Sequence, residues 1–250
     1  MRTLYKTIWF LAVGTLCMSV VAPLRAATIF DNSANDLQHR WSPAPLTLEV
    51  GNEILLAGTE RYLTYFDFEY WATTANHVSF AGPVEARVRF YVNDGTPPFN
   101  GYATPGFKFY DSGWFGGFGP TDGYPNRATL TFSEGADFPA GGLFIPTSDM
   151  TWSIQFQGLG LGDTVGLDLY APAVVGSDFD DYWQFDGTAW TLQTVDSSPY
   201  AGFTSSLVFN RVCSKLVRDM AYYRCKLQSN HPAPEQDHVS NRQHCTRASR

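Results

Sequence analysis

Hydrophobic and polar residues alternate between residues 84 and 93. One set is Val84, Ala86, Val88, Phe90 and Val92, and the other is Glu85, Arg87, Arg89, Tyr91 and Asn93. Because successive side chains of a strand point to opposite faces, this segment is predicted to be a β-strand with one buried and one solvated face. Asn93, Asp94 and Gly95 tolerate positive φ, so they predict that the chain reverses direction after this strand.

The same pattern recurs through most of the chain. Residues 62–71 place one set of side chains on a shared face, namely Tyr62, Thr64, Phe66, Phe68 and Tyr70. Residues 150–157 alternate Met150, Trp152, Ile154 and Phe156 with polar side chains. Asp186-Gly187 lies between two further runs and predicts a hairpin over residues 182–194. About ten such strands, without a long helical period, predict an all-β fold, an antiparallel β-sandwich of jelly-roll type, with a closed barrel as the alternative.

Both ends of the chain differ from this β-rich body. Residues 1–26 combine a basic start, a long apolar run and small residues at its end, which predicts a secretory signal peptide, with a membrane anchor as the alternative. Residues 27–211 form the predicted sandwich domain. Residues 212–250 form a basic tail that contains cysteine and histidine, predicted to be a short amphipathic helix over residues 212–228 followed by a poorly ordered end. Its Cys and His spacings do not match those of structural zinc sites.

Charge is distributed unevenly along the chain. Residues 28–211 contain 21 acidic and 7 basic residues, a net charge of −14, whereas residues 212–250 carry a net charge of +4. Nucleic acids and anionic membrane surfaces are bound through Lys and Arg. The acidic body therefore disfavours both partners, and no stable membrane span is expected once a signal segment is cleaved.

The densest group of candidate ligands is in the segment that precedes the predicted hairpin. Asp178, Asp180 and Asp181 lie within four residues of one another, and Trp183 follows them. Several carboxylates in one loop could coordinate Ca²⁺. The alternative is a solvated turn in which the aspartates bind nearby backbone amides. No complete calcium-loop pattern is present, so these four residues are weak candidates for ligand binding and no metal site is assigned.

Two other patterns could carry carbohydrate chemistry. Asp67 and Glu69 are predicted to share a strand face about 7 Å apart, which is within the range of paired glycosidase carboxylates. Aromatic rings could stack on sugars or could close the ends of the sandwich; the candidate rings are Trp114, Phe115, Phe118, Trp183 and Trp190.

The body shows no pattern that indicates a hydrolytic Ser-His-Asp triad. Its only histidines are His39 and His77, and no nucleophile-elbow or phosphate-binding glycine pattern occurs. No catalytic residue is therefore assigned. Arg87 and Arg89 are expected to pair with cross-strand carboxylates such as Asp67 or Glu69.

Several segments resemble those of certain secreted bacterial proteins. They are residues 31–33, 53–59, 66–71, 86–91, 110–113, 166–170 and 180–183. In their pattern of strand and turn residues, these segments are similar to the uncharacterised β-sandwich proteins that usually end in a PEP-CTERM sorting segment. That family is exported alongside exopolysaccharide. The tail departs from that pattern, because Pro234-Glu235 is followed by Gln236 and no apolar run comes after it.

The resemblance implies a protein secreted by, or located on the surface of, a bacterium. We therefore expect an exported, non-enzymatic β-sandwich associated with exopolysaccharide. A carbohydrate-active hydrolase or a carbohydrate-binding module is the alternative. The resemblance carries over no catalytic residue and no cofactor.

Overall fold

The computed structural model describes residues 27–121 and 126–193, together with the backbone of two strands between residues 202 and 209. This part of the chain contains seventeen β-strands and no helix. In chain order they are β1 (Ala27–Asp31), β2 (Asp36–Trp41), β3 (Glu49–Leu55), β4 (Tyr62–Thr73), β5 (Glu85–Val92), β6 (Gly95–Phe99), β7 (Tyr102–Thr104), β8 (Lys108–Asp111), β9 (Ala128–Ser133), β10 (Leu143–Phe144), β11 (Asp149–Gln157), β12 (Thr164–Tyr170), β13 (Ser177–Asp178), β14 (Tyr182–Phe185), β15 (Trp190–Gln193), β16 (Gly202–Phe203) and β17 (Ser205–Phe209).

The strands form two large antiparallel sheets that pack face to face. Sheet A has the order β1-β17-β4-β12-β16, with β9 and β10 also paired to β4, and β2 paired to β12. Sheet B has the order β15-β14-β3-β11-β5-β8, with β13 also paired to β3. Strands β6 and β7 form a separate hairpin. The protein is therefore an antiparallel β-sandwich, as the sequence predicted, and not a single closed barrel.

Several pairs of consecutive strands are divided between the two sheets. β3 and β5 belong to sheet B whereas β4 belongs to sheet A, and β11 and β12 are divided in the same way. Crossing between layers is how jelly-roll sandwiches connect their strands. It also brings strands that are distant in sequence together, since β11 lies between β3 and β5.

The core between the sheets is dominated by aromatic side chains. Phe66 and Phe68 of β4 are fully buried and contact Trp152 of β11 at ring-centroid distances of 5.4 and 5.7 Å. Phe66 also meets Phe90 of β5 edge to face at 5.1 Å. Rings at this spacing add to the free energy that their burial already contributes. The alternating positions predicted on β4, β5 and β11 therefore form the core.

Two features of the alternation differ from expectation. Tyr62, predicted to share the buried face of β4, is 46% exposed because it lies at the start of the strand, where its ring packs on Phe144 of β10. Part of the predicted solvated side of sheet B is also buried: Thr151 and Ser153 of β11 are both 0% exposed, and Tyr91 of β5 is 8% exposed. The outer face of sheet B is covered by other parts of the chain.

The predicted signal peptide (residues 1–26) and the predicted tail helix and poorly ordered end (residues 212–250) lie outside the described residues. Among the described residues there is no helix with the length and apolar character that crossing a membrane requires.

Candidate functional site

Two hairpins place aromatic side chains against rings on the outer face of sheet B: the β6–β7 hairpin, and the β14–β15 hairpin that forms one edge of this sheet. The turn expected after β5 does not return the chain along β5. It leads into the β6–β7 hairpin, whose tip at Asn100 and Gly101 has φ of 51° and 91°. The β14–β15 hairpin confirms the reversal predicted at Asp186-Gly187, and Gly187 has φ of 97°. Its turn spans the four residues between Phe185 and Trp190, so β15 begins two residues later than a two-residue turn would place it.

A groove of about 600 Å³ separates the two hairpins. One wall comes from the β6–β7 segment and the other from the turn and first strand residues of the β14–β15 hairpin. The lining residues are Asp94, Gly95, Thr96, Pro97, Pro98, Phe99, Thr104, Pro105, Gly106, Phe107, Thr188, Ala189, Trp190 and Thr191. The lining is thus aromatic rings, prolines and hydroxyl groups, with one carboxylate.

The base of the β6–β7 hairpin is held by Asp94. Its Oδ1 accepts a hydrogen bond from the backbone N–H of Phe107 at 2.7 Å. Gly106 packs against this carboxylate so closely that a Cβ on it would lie 2.3 Å from Oδ1. Glycine is therefore required where the two ends of the hairpin meet, and the wall is attached firmly to β5 and β8.

Three aromatic rings line the groove, two of which rest on buried rings. Trp190 is half-buried and stands edge-on to Tyr91 at 5.4 Å, while Phe99 meets the fully buried Trp183 at 6.4 Å. The third ring, Phe107, is 61% exposed. Rings supported in this way keep apolar faces available to a ligand without losing much side-chain entropy on binding.

A buried polar network supports Trp190 from below. Tyr91 donates its phenol hydrogen to Glu49 Oε1 at 2.9 Å, and Ser153 donates its hydroxyl to the same oxygen at 2.6 Å. Arg89 forms an ion pair with the other oxygen of Glu49. Burial, followed by the Glu49 carboxylate, raises the pKa of Tyr91. The phenol therefore stays protonated and continues to donate.

A second carboxylate group lies at the base of both hairpins. Trp183 Nε1 donates to Glu53 Oε2 at 2.9 Å, and Asn93 Nδ2 donates to Asp149 Oδ1 at 2.6 Å. Glu53 lies near the carboxylates of Asp149 and Asp181. Burial and then these neighbouring acids raise the pKa of Glu53 to about 7. This carboxyl therefore keeps its proton to a higher pH than an ordinary glutamate does.

The four predicted ligand-binding residues have different surroundings. Asp178 lies in β13 and accepts a hydrogen bond from Asn32 at 2.6 Å. Asp181 is near Glu53, and Asp180 is on the surface. Trp183 is 0% exposed, so it supports the groove through Phe99 and cannot itself stack on a sugar. Among residues 27–121 and 126–193, no three His, Cys, Asp or Glu side chains are arranged to hold a metal ion, so the calcium hypothesis finds no ligand set there.

Most of the other candidate rings also pack inward. Phe115 meets Phe132 at 5.4 Å, and Phe118 meets Tyr70 at 5.4 Å. These two rings close the sandwich as the alternative interpretation proposed. The guanidinium of Arg87 lies over Trp114 at 5.7 Å. Of the five candidates, Trp190 is the one that lines the groove.

Asp67 and Glu69 lie in sheet A and are engaged in separate interactions. Asp67 accepts a hydrogen bond from Tyr65 at 3.1 Å. Glu69 accepts one from the phenol of Tyr170 at 2.7 Å and is 3.1 Å from Arg127. Nothing in these contacts joins the two carboxylates into an acid–base pair.

Arg87 and Arg89 do have carboxylate partners, but not the predicted ones. Arg87 pairs with Asp111 of β8, and Arg89 pairs with Glu49 of β3 and lies 3.5 Å from Asp111. The expectation that they pair with Asp67 or Glu69 was wrong, because those residues are in β4, which belongs to the other sheet.

The sequence provided a weak signal for the groove. Residues 93–106 form one of its longer loops, with adjacent prolines at 97 and 98, and loops often carry function. What the sequence did not show is that this loop stands opposite Trp190.

Comparison with protein-family models, curated proteins and solved structures found no match for this chain.

Proposed function

We propose that the protein is an exported, non-enzymatic β-sandwich that binds polysaccharide in the groove between the β6–β7 and β14–β15 hairpins. The observation that carries the proposal is the pair of rings Trp190 and Phe107 in an open groove whose walls are held by the body of the fold. Flat aromatic faces pack well on the C–H surfaces of sugar rings. The threonine hydroxyl groups of the lining supply donors and acceptors for sugar hydroxyls.

Export and a bacterial surface location belong to the same proposal. Their support is the sequence alone: the basic and apolar character of residues 1–26 and the resemblance of the body to PEP-CTERM-sorted proteins.

Binding to a panel of polysaccharides tests the proposal, with affinity electrophoresis or calorimetry on the purified protein. Trp190→Ala and Phe107→Ala are each expected to weaken binding about ten-fold or more, because each removes a stacking surface. Tyr62→Ala is the matched control, since Tyr62 is an exposed aromatic residue that does not line the groove. Equal affinity of all three variants and the unmodified protein would contradict the proposal.

A carbohydrate hydrolase is the second candidate, and it is favoured by Glu53. A carboxyl group with a pKa near 7 has the property of a general acid. However, Glu53 accepts the indole N–H of the fully buried Trp183 and is not among the residues that line the groove. Release of reducing sugar that is abolished by Glu53→Gln would establish the hydrolase, whereas binding without release would support the non-enzymatic function.

A further inference from the structure

One carboxylate lines the groove on the β6–β7 side, and a second lies directly behind its β14–β15 wall. Asp94 is part of the lining on the β6–β7 side. On the other side, Asp186 lies at the start of the turn and accepts hydrogen bonds from the backbone N–H groups of Thr188 and Ala189, which line the groove, at 2.8 and 2.9 Å. These hydrogen bonds, that of Ala189 first, lower the pKa of Asp186. No Lys, Arg or His is among the lining residues of the groove.

The Lys and Arg residues of the described chain form ion pairs or hydrogen bonds with residues that do not line the groove. There are six, and five of them form ion pairs: Arg40 with Asp168, Arg87 with Asp111, Arg89 with Glu49, Lys108 with Asp111, and Arg127 with Asp36. Arg61 donates to the backbone carbonyl of Glu60 at 2.6 Å. A polymer rich in uronate, sulfate or phosphate would therefore meet repulsion at the groove and would find no Lys or Arg among its lining residues.

The aromatic lining also favours a positively charged ligand. The face of an indole or phenyl ring carries partial negative charge and attracts an ammonium group placed over it. Trp190 and Phe107 therefore offer two such faces in a groove flanked by two carboxylates. This combination of rings and acids is how proteins bind organic cations.

We infer that the groove selects polysaccharides that carry protonated amino groups, such as those built from amino sugars without N-acetyl groups, over neutral and anionic polysaccharides. This inference rests on the proposed function and names its ligand class. The carbon–hydrogen faces of the sugar stack on Trp190 and Phe107, and the ammonium groups lie between the rings and the carboxylates of Asp94 and Asp186.

The test compares three oligosaccharides of equal length: a glucosamine oligomer with free amines, its fully N-acetylated counterpart, and a uronic acid oligomer. Calorimetry on the purified protein, at a pH at which the amines are protonated, is expected to show about ten-fold tighter binding of the amine form than of the N-acetylated form. The uronic acid oligomer is expected not to bind, and added salt is expected to reduce the preference for the amine form.

Two sets of variants separate the groove from general attraction to an acidic protein. The double variant Asp94→Asn, Asp186→Asn retains the side-chain oxygens that accept backbone hydrogen bonds, and it is expected to abolish the preference for the amine form. Asp180→Asn removes one exposed charge outside the groove lining and is expected to leave the preference intact. Trp190→Ala is expected to weaken binding of both sugar forms.

The outcomes distinguish this inference from the proposed function. Equal binding of the amine and N-acetylated oligomers, or a preference that survives the double variant, would overturn the inference and leave polysaccharide binding standing. Amine binding that is unaffected by Trp190→Ala would show non-specific attraction and would also overturn it. If no oligosaccharide or polysaccharide binds at all, both proposals fail.

Discussion

Trp183 donates its indole N–H to Glu53 at 2.9 Å on a face of sheet B that strand alternation alone would assign to solvent. The indole is fully buried because Phe99 of the β6–β7 hairpin covers it. The contact ties the β14–β15 hairpin to β3, and Asn93 ties the β6–β7 segment to Asp149 beside Glu53. Both walls of the groove therefore depend on the same pair of carboxyl groups.

Glu53→Gln is predicted to change how stability depends on pH. The pKa of Glu53 is about 7 in the folded protein, against an ordinary value of 4.5, so the folded state holds a proton that the unfolded state releases between these pH values. This contribution to stability is complete below pH 4.5 and is lost as pH rises through about 7. Glutamine cannot ionise, so the variant should be more stable than the unmodified protein at alkaline pH, by about 1–2 kcal/mol after allowance for solvent screening.

Urea unfolding at several pH values measures this effect. Burial also raises the pKa of Asp168 and Asp178 to about 6, so the variant should still lose stability between pH 4 and 6. The further decrease in the free energy of unfolding between pH 6 and about 7 should disappear in the variant. A variant whose stability parallels that of the unmodified protein across the whole range would show that the pKa of Glu53 is not raised in the folded state.

Arg89→Ala is predicted to destabilise the protein strongly. The Glu49 side chain is 1% exposed and that of Arg89 is 12% exposed, so removing Arg89 leaves a buried carboxylate without its charge partner. Losses of about 3 kcal/mol or more follow from breaking such a pair. Lys108→Ala is the control, since Lys108 also pairs with a carboxylate, Asp111, but is 41% exposed. That variant should lose less than about 1 kcal/mol, and a similar loss in both would contradict the buried role of Arg89.

Asp163→Ala is predicted to loosen two loops that share one carboxylate. The side chain of Asp163 accepts hydrogen bonds from the backbone N–H groups of Ala81, Gly82 and Gly160 at 2.8–3.1 Å. Alanine would leave these donors unpaired and should cost about 3 kcal/mol in thermal or denaturant unfolding. Asp163→Asn, which keeps one acceptor oxygen, should cost less.

The same carboxylate predicts sensitivity to acid. Burial alone would raise the pKa of Asp163, but the backbone hydrogen bonds outweigh it and lower the pKa below 3.8. The stability that the folded state gains from this carboxylate is therefore present above pH 3.8 and is lost as pH falls through the lowered value. The stability difference between the unmodified protein and Asp163→Asn should shrink in that acidic range. A difference that stays constant down to the lowest pH would contradict this assignment.

Gly82→Ala is predicted to disrupt the contact between the same two loops. A Cβ on Gly82 would lie 2.0 Å from the carbonyl oxygen of Gly158 and 2.7 Å from the amide nitrogen of Gly160. Because backbone atoms cannot move aside cheaply, we expect a loss of about 3 kcal/mol or more. Gly119→Ala is the control, because a Cβ there has no atom within 4 Å. Comparable unfolding curves for the two variants would refute the close approach.

The alternation of residue types determined the fold class and much of the core. Residues 150–157 illustrate the reason: Met150, Trp152, Ile154 and Phe156 are all buried on one side of β11, as their spacing of two predicts. The Asp186-Gly187 hairpin was also predictable, because its turn residues act locally. These features depend only on which side of its own strand each residue occupies and on the conformations that its turns allow.

Tertiary structure alone decided which residues lie against each face of a strand. Arg89 pairs with Glu49 because β11 brings β3 and β5 into one sheet, although 40 residues separate the two side chains in sequence. Trp190 lines the groove because its hairpin, at the edge of sheet B, brings its ring against Tyr91 of β5 and opposite the β6–β7 segment. Alternation assigns a side chain to a face, but strand order and the path of the hairpins determine which residues lie opposite it. The strand over residues 84–93 was thus predictable from the sequence, whereas the groove that its far end supports was not.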